Sequence, residues 1–438
     1  MSHATRRPAL ASSTGRHRPE VAMPGGGATL SGVSTSPPRQ FLETLYRDTI
    51  AALHSGRAVG DVLEARQARN GRSTPVHILG LGKAAPAMCA AALQWHADHQ
   101  RVVAGGVCIA HDTGGISIAP LPMIIGDHPV PSTRSHHAAA ALGAYIDARV
   151  RDGDDVLVLL SGGTSALIGA PRAGMSIETY DSTMAALVAS GLSITAINRE
   201  RRRLSLWSGG QLGVALQAKG AQVEVFAISD VLGDDPASIG SGPCVTLDRV
   251  DAPMIPHHII GNNRLARETA VSLARERSTT ATQVDDPLHG DVLQCADRIS
   301  LALRTFASTA RTGASAHLPR VVCWGGEPTV TLPGPDAPRG GRMQALAMLI
   351  AKQLHDAGRD AHGITVLAAG TDGRDGATDA AGAVVDAHTW SAVRSVGRAP
   401  EHDLAAFRSH EALHAVHATV PAFVSGTNVN DLVIALIA

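Results

Sequence analysis

One of the chain's three lysines, Lys83, lies inside a glycine-rich turn, where its charge can serve chemistry. The turn, GLGKAA at residues 80–85, follows the apolar run VHIL and opens a helical pattern, as a loose G-x-G-x-x-A match. Its glycines let a phosphate or carboxylate reach backbone N–H groups at the start of a helix, and Lys83 adds a mobile positive charge. A tight strand-to-helix turn with an exposed lysine explains the same residues equally well.

A second glycine-rich turn, SGGTSAL at residues 161–167, ends the apolar run VLVLL. Two glycines and several hydroxyl groups at a strand end form a nest of backbone N–H groups that binds anions. A serine nucleophile is disfavoured, because a hydrolase elbow reads G-x-S-x-G and the last position here is Leu167. An N-cap combined with a tight turn is the simpler alternative.

Charged residues cluster at two further places. Residues 201–203 are three adjacent arginines, so at most one or two can face a site from a helix, and a solvated basic face is the alternative. The run SDVLGDD at 229–235 places Asp230 and Asp234 at a strand end. Carboxylate oxygens suit the Mg²⁺ that phosphoryl transfer needs, although capping and turn roles explain some of these acids equally well.

Three motifs in the second half complete the set: GGE at 325–327, GGR at 340–342 and TDGRDG at 371–376. An arginine after two glycines, Arg342, can bind a phosphate bidentately, and TDGRDG resembles a turn that binds a metal or a hydroxyl group. The 21 histidines form no recognisable zinc pattern. Together, these motifs indicate a protein that handles phosphorylated or carboxylated small molecules.

The elements that must position these residues are short apolar strands alternating with helices. The runs VHIL, VLVLL, VEVFAIS, VVCWGG and ITVLAAG each end in glycine and polar residues. Such strands, separated by helices of about ten or more residues, predict parallel βαβ units and an α/β fold. Ligands of these sheets bind outside the carboxyl ends of the strands, where the glycine-rich motifs lie.

Composition excludes several classes of protein. With 38 basic and 39 acidic residues, the chain lacks the net positive charge expected of a dedicated nucleic-acid or membrane-surface binder. No stretch approaches the roughly 18 apolar residues of a transmembrane helix. The 5 cysteines are scattered and include no C-x-x-C pair, which disfavours a disulfide framework or a thiolate zinc site and favours a reducing, cytoplasmic compartment.

Composition also divides the chain into three parts. Residues 1–38 are rich in Ser, Arg, Pro and Gly and predict a disordered tail, with a transit peptide or a true start at Met23 as alternatives. A polar stretch with two prolines at 245–262 predicts a boundary near residue 255. The predicted domains are therefore 39–255 and 256–438.

Taken in order, the motifs resemble those of the class II glycerate 2-kinases over residues 40–438. The resemblance is carried by GLGKAA, HPVP at 128–131, SGGTSAL, IN-x-x-R…LS…GG at 197–210, SDVLGDD…SGP, GGEPTVT, GGR, TDGRDGATDAAGAVVD and GTNVNDL at 426–432. It implies transfer of phosphate from ATP, with Mg²⁺, to the 2-hydroxyl of D-glycerate, giving 2-phosphoglycerate and ADP. It also implies a Rossmann-like N-terminal domain with a parallel sheet, a smaller α/β MOFRL domain, and an active site in the cleft between them.

The same resemblance implies partners and residue roles. D-glycerate and ATP are the expected partners, without nucleic acid or membrane, and a homodimer is left open. The family's catalytic lysine and arginine correspond to Lys83 and Arg342, and Asp375 or Asp372 is expected to orient or deprotonate the substrate hydroxyl. The remaining assignments are Asp230 or Asp234 for Mg²⁺ and, for substrate or nucleotide, Gly82, Ser161, Gly162, Gly163, Ser165, Arg201, Glu327 and Asn428.

The chain departs from the family pattern at four positions. Ser132 replaces the acid of HPVPD, Ser208 replaces a basic residue, and Met343 and Ala345 replace the Asn and Glu of GGRNQEL. These changes leave the phosphate chemistry intact. They leave open whether the substrate is glycerate or a related 2-hydroxy acid.

Two other functions compete with a kinase. An NAD(P)H-dependent hydroxypyruvate reductase needs an acid at the end of the second strand, about 20 residues past the glycines, and the region after VVAGG offers only Asp112, about 30 residues on. A non-enzymatic module that senses sugars or acids would be favoured by loss of Lys83 or Arg342, and both are retained.

Overall fold

The computed structural model describes residues 37–70, 74–113, 115–190, 194–246, 253–312, 319–331 and 340–438. Helix α1 spans Pro37–Ala52, so the predicted tail lies outside the described residues except for its last two positions, and Met23 lies outside them too. Within these ranges no helix is long and apolar enough to cross a membrane.

The first sheet has six parallel strands. They are β1 (Val76–Leu81), β2 (Val103–Ala110), β3 (Met123–Ile125), β4 (Asp155–Leu160), β5 (Gln222–Ile228) and β6 (His257–Gly261). The helices of this half are α2 (Ser55–Asn70), α3 (Ala85–Asp98), α4 (Thr133–Arg149), α5 (Thr164–Leu167), α6 (Ile177–Ala189), α7 (Ile194–Leu204) and α8 (Gln211–Ala218), with a short 3₁₀ helix at Ile239–Ser241. Strands β1 and β4 are buried along their whole length, as expected for a parallel sheet covered on both faces. The predicted Rossmann-like parallel sheet is confirmed.

The strand order in this sheet, β3-β2-β1-β4-β5-β6, reverses between β1 and β4. From β1 the chain builds outward through β2 and β3, and then returns to place β4 on the other side of β1. A crevice opens outside the carboxyl ends of the strands at such a point. The turn after β1 contains Lys83 and the loop after β4 begins at Ser161, so the topology brings the two predicted anion-binding turns together.

The second sheet also has six strands. They are β7 (Thr280–Gln283), β8 (Arg320–Gly326), β9 (Ile364–Gly370), β10 (Ala380–Asp386), β11 (Thr419–Pro421) and β12 (Asp431–Ile437), in the order β11-β10-β9-β12-β8-β7. The helices of this half are α9 (Asn263–Glu276), α10 (Val292–Thr312), α11 (Arg342–Ala357), α12 (Thr389–Ser395), α13 (Pro400–Ala405) and α14 (Ser409–Ala415), with a 3₁₀ helix at Gly358–Ala361. Only β7 and β8 pair in parallel. The parallel pattern expected from the sequence therefore does not extend to this sheet, which is mixed.

Strand β12 sets the geometry of the second half of the site. It lies between β8 and β9 and runs antiparallel to both, so its first residue, Asp431, is in register with their last residues, Gly326 and Gly370. Because of this register, a carboxylate enters the sheet beside the loops that follow β8 and β9.

Helix α1 ties the beginning of the described chain to the second sheet. It packs against α9, β9 and β12, and its residues Leu42, Leu45 and Tyr46 are fully buried. Strand β6 pairs with β5, and the next helix, α9, packs on β7 and β8. The domain boundary near residue 255 stays a prediction.

Candidate active site

The turn after β1 is packed directly against the loop after β4. The backbone N–H of Gly82 donates to Ile109 O at 3.0 Å, that of Lys83 to Gly162 O at 3.0 Å, and that of Ala84 to Ser161 Oγ at 3.0 Å. A Cβ on Gly82 would overlap the Ser161 hydroxyl. Gly82 and the buried Ser161 therefore hold the two loops together, and the ligand-binding roles expected of them stay predictions.

Gly162 and Gly163 form the open part of the site. Within the described chain, the backbone N–H groups of these two residues have no acceptor. A Cβ on Gly162 would overlap the Asp230 carboxylate, and one on Gly163 would lie 3.3 Å from both Lys83 Cγ and His128 Cδ2. The glycines thus leave room for Lys83, Asp230 and His128 around two free N–H donors, an arrangement suited to an anion.

Ser165 connects this loop to helix α7. Its hydroxyl lies 2.6 Å from Ser241 Oγ, which in turn donates to Asn198 Oδ1 at 3.3 Å. All three side chains are buried. The Ser165 hydroxyl, expected to bind a ligand, is engaged within the protein and fixes α7 against the glycine loop.

Arg201 differs from the two arginines that follow it. Arg202 donates to Ala237 O at 2.9 Å, and the exposed Arg203 pairs with Glu200 at 3.2 Å. Arg201 is partly buried, its pKa is lowered by that burial, and its guanidinium has no acceptor in the part of the chain that the structure describes. Of the three, Arg201 is the one available to a ligand.

His128 lies in the candidate site, although it was not among the residues selected from the sequence. Burial, together with the smaller effects of the charges of Lys83, His111 and Arg201, lowers its pKa to about 3. The imidazole is therefore neutral near pH 7. The signal was present in HPVP, one of the motifs that carry the family resemblance, but that motif was given no chemical role.

Two carboxylates from the second sheet hold Arg342. Its Nε donates to Asp431 Oδ2 at 2.7 Å, and its Nη1 donates to Glu327 Oε1 at 2.9 Å. Asp431 is buried, and burial raises its pKa to about 7 against the opposing effect of Arg342. The predicted site residue Glu327 thus contacts Arg342. Asp431 lies within GTNVNDL but was not among the residues expected at the site.

Asp375 lies at the start of helix α11. Its two oxygens accept hydrogen bonds from the backbone N–H groups of Met343 at 3.0 Å and Gln344 at 2.8 Å, and from the Gln344 side chain at 3.0 Å. Burial raises the pKa of Asp375, while these hydrogen bonds and Arg342 oppose that effect. The structure thus uses the expected general base to anchor the helix that begins with Arg342.

Asp230 links the two halves electrostatically. Burial and the charge of Glu327 raise its pKa to about 6, against the opposing effects of Lys83 and Arg342. Glu327 and Arg342 belong to the second sheet, whereas Asp230 and Lys83 follow strands of the first. Residues from both sheets therefore act on one carboxylate, beside the Gly162 N–H.

The other two predicted polar ligands lie in loops held by residues at the start of helix α9. Asp234 Oδ2 accepts from Asn262 Nδ2 at 2.6 Å, and Asn262 caps helix α9. Asn428 is buried in a loop whose next residues are held by Asn263, which donates to Val429 O at 2.8 Å. Within the described residues, no three His, Cys, Asp or Glu side chains form a group that could hold a metal ion by themselves.

Of the four departures from the family pattern, Ser132 has a defined structural role. Ser132 is the N-cap of α4, where its hydroxyl accepts from Arg134 N at 3.1 Å and bonds to Asp127. Ser208, Met343 and Ala345 are buried. Capping accounts for Ser132, because serine is a favoured residue at that position.

Two family descriptions match the chain. A domain of unknown function, DUF4147, matches residues 41–270, and the MOFRL family matches residues 320–431. A relative from Agrobacterium vitis with a provisional hydroxypyruvate reductase name is 32% identical, over 81% of this chain and 97% of its own. A D-glycerate 2-kinase from Thermotoga maritima is 29% identical, over 90% of this chain and 97% of its own.

A crystal structure of a glycerate kinase from Thermotoga maritima has the same fold. It matches with a TM-score of 0.76 and 28% sequence identity, covering 91% of this chain and 99% of that one. With both family descriptions, a relative above 30% identity and this structural match, the chain belongs to the class II glycerate kinase family, in which a DUF4147 domain precedes a MOFRL domain.

Proposed function

We propose that this chain transfers the γ-phosphoryl group of ATP to the 2-hydroxyl of D-glycerate, giving 2-phosphoglycerate and ADP. The names of the Thermotoga maritima relatives support the reaction. The observation that carries the proposal is the grouping of Lys83 and Asp230 around the free N–H groups of Gly162 and Gly163, with Arg342 close enough to lower the pKa of Asp230.

Charge neutralisation is the main requirement of phosphoryl transfer, because the transition state spreads negative charge over the phosphoryl oxygens. The N–H groups of Gly162 and Gly163 hold a phosphate oxygen, and the exposed ammonium of Lys83 balances the charge of the transferred group. Arg342 presents a planar fork whose orientation is fixed by Glu327 and Asp431.

Asp230 fits a magnesium ion shared with phosphates. Its partly buried carboxylate forms no ion pair within the described residues, and Mg²⁺ typically takes one or two carboxylates together with substrate phosphates. When bound, the ion supplies positive charge to the β- and γ-phosphate oxygens. Asp234, held by Asn262, supports the same loop.

Asp375 has a positioning role in this proposal. Both of its oxygens accept hydrogen bonds at the start of α11, and these bonds set the place from which Arg342 extends. A loose transition state requires little help in removing the hydroxyl proton before transfer. Orientation of Arg342 is therefore the contribution that we assign to Asp375.

A hydroxypyruvate reductase fits the geometry less well. A dinucleotide pyrophosphate needs free N–H groups at the first glycine-rich turn, and those of Gly82, Lys83 and Ala84 already have acceptors within the protein.

A cytoplasmic location is part of our proposal and is supported by five free, buried cysteines.

A paired assay on the purified full chain tests the function. ADP release is measured from ATP with D-glycerate, with other 2-hydroxy acids in parallel, and NADH oxidation is measured with hydroxypyruvate. We expect ADP release that depends on D-glycerate and on Mg²⁺, with 2-phosphoglycerate as the product. Hydroxypyruvate-dependent NADH oxidation without ADP release would assign the reductase function instead.

A further inference from the structure

Arg201 carries a positive charge that no described residue balances. Its guanidinium is partly buried and has no acceptor there, whereas Arg202 and Arg203 each bind an oxygen of the protein. A buried charge is costly unless it is paired and hydrogen-bonded. An anion from outside the chain is the partner that this position lacks.

Arg201 lies on the side of helix α7 that is linked to the region of the glycine loop. Asn198, three residues earlier on the same face of the helix, accepts from Ser241 Oγ, which lies 2.6 Å from Ser165 Oγ in the short helix after the loop. The charge of Arg201 also lowers the pKa of His128, whose ring lies beside Gly163.

His128 lies at the same place as an uncharged donor. Its ring reaches within 3.3 Å of the position that a Cβ on Gly163 would occupy, as does the Lys83 side chain. The ring is close enough to Arg201 for that charge to lower the pKa of His128, and the ring stays neutral near pH 7. Neither of its nitrogens has a hydrogen-bond partner among the residues described.

We propose that Arg201 and His128 bind the carboxylate of the substrate and so select 2-hydroxy acids over neutral polyols. This inference rests on the proposed kinase function and names the recognition step within it. One guanidinium and one neutral imidazole match the single charge and two planar oxygens of a carboxylate. Lys83, Arg342 and the glycine N–H groups bind the more highly charged phosphates instead.

Binding of D-glycerate to the full chain, measured by calorimetry without ATP, tests the pair without requiring turnover. The wild-type chain should bind D-glycerate more tightly than glyceramide, in which an amide replaces the carboxylate. Arg201→Gln should weaken D-glycerate binding on the order of 10- to 100-fold, with glyceramide and ATP binding nearly unchanged. His128→Phe should weaken D-glycerate binding by about 5-fold, the loss of a neutral hydrogen bond.

Arg203→Gln is the matched control, because Arg203 is exposed on the same helix and pairs with Glu200. It should leave the binding of all three ligands unchanged. Arg201→Lys keeps the charge without the planar fork, and it should show an intermediate loss at a wild-type melting temperature.

Two results would overturn the inference: a wild-type chain that does not distinguish D-glycerate from glyceramide, or an Arg201→Gln chain that loses ATP binding while keeping D-glycerate binding. The proposed function fails separately. A wild-type chain that binds D-glycerate through Arg201 but releases no ADP keeps the carboxylate site and loses the kinase assignment.

Discussion

Lys83 is the lysine without an acidic partner among the described residues. Lys219 pairs with Asp147 at 2.9 Å, and Lys352 pairs with Asp356 at 2.6 Å. The Lys83 side chain instead extends along Gly163, and its ammonium is exposed. A charge held in this way is available to a phosphate, and its loss should affect chemistry more than stability.

Lys83→Ala should therefore lower kcat by at least ~100-fold, which corresponds to about 2.7 kcal/mol of transition-state stabilisation. The melting temperature should stay close to that of the wild type, because the side chain is exposed. Steady-state kinetics with ATP and D-glycerate provide the measurement, and Lys219→Ala is the control for removing a lysine. Retention of more than about a tenth of the wild-type rate would exclude Lys83 from the mechanism.

His128 makes stability depend on pH in a defined direction. The folded chain keeps the imidazole neutral, with a pKa of about 3, whereas an unfolded histidine titrates near pH 6.5. Between these values the unfolded chain binds the extra proton, so the free energy of unfolding falls as pH decreases through this window.

His128→Phe removes this titration. Between pH 7 and pH 5, we expect the wild type to lose on the order of 1 kcal/mol more stability than the variant. Urea unfolding at the two pH values measures the difference. Equal losses in both chains would mean that His128 is protonated in the folded state.

At the scale of single residues, sequence patterns pointed to Arg342 and Asp375 but missed Asp431 and gave none of the pairings. Asp375 and Asp431 both lie in motifs that resemble the family's, yet only Asp431 pairs with Arg342, while Asp375 binds backbone N–H groups. That difference depends on the register of β12 against β8 and β9, which pairs Asp431 with residues about 105 and about 60 positions away. Local patterns contain no information on such a register.

Among the elements, the close approach of two loops governs the site. Gly162 has ordinary backbone geometry and is required by space alone, since a side chain there would overlap Asp230. Gly60, within helix α2, has no atom within 4 Å of the position of a Cβ. Substitution by alanine should therefore have opposite effects on stability at these two positions.

Gly162→Ala should displace Asp230 and abolish most activity, with a stability loss of about 1–3 kcal/mol from overpacking. Gly60→Ala should raise stability by roughly 0.5–1 kcal/mol, because alanine favours a helix over glycine. Denaturant unfolding and the ADP-release assay compare the two. A fully active Gly162→Ala chain would show that the loop and Asp230 are not tightly packed in solution.

Helix α11 presents Arg342 from its first position, where two carboxylates each take one arm of the guanidinium. Lysine cannot form both bonds at once. Arg342→Lys should therefore lower kcat by about 10- to 100-fold, with KM for D-glycerate and ATP nearly unchanged. A raised KM for D-glycerate at constant kcat would instead make Arg342 a clamp for the substrate carboxylate.

The elements also show where sequence patterns stop being informative. Apolar runs ending in glycine predict strands correctly in both sheets, because burial on both faces requires them. The run DLVIALI of β12 is equally apolar whichever way it runs, so its antiparallel direction cannot be inferred. The parallel first sheet was therefore predictable and the mixed second sheet was not.

For the whole molecule, helix α1 joins the start of the described chain to the second sheet. Its Leu42, Leu45 and Ile50 are buried, and the Tyr46 hydroxyl donates to Gly370 O at 2.5 Å. Removal of residues 1–36 leaves this helix intact, and those residues are polar and rich in Pro and Gly in sequence. Removal through residue 53 deletes the helix.

The shorter truncation should leave activity and melting temperature nearly unchanged. The longer one should lower the melting temperature by more than about 10 °C, because each lost core leucine costs about 2–5 kcal/mol. Thermal unfolding of both chains measures this contrast. A fall of more than a few degrees in the shorter truncation would show that residues 1–36 dock on the fold.

The place of β12 between β8 and β9 also makes completion of the site depend on a distant part of the chain. Its pairing with β8 must close a loop of about 100 residues, and contacts between such distant parts of a chain form slowly. The two glycine-rich loops of the first sheet come together through the pairing of β1 with β4, which closes a loop of about 80 residues. Both halves of the site thus depend on contacts between distant parts of the chain, and Arg342 gains the carboxylate that orients it only when β12 has inserted between β8 and β9.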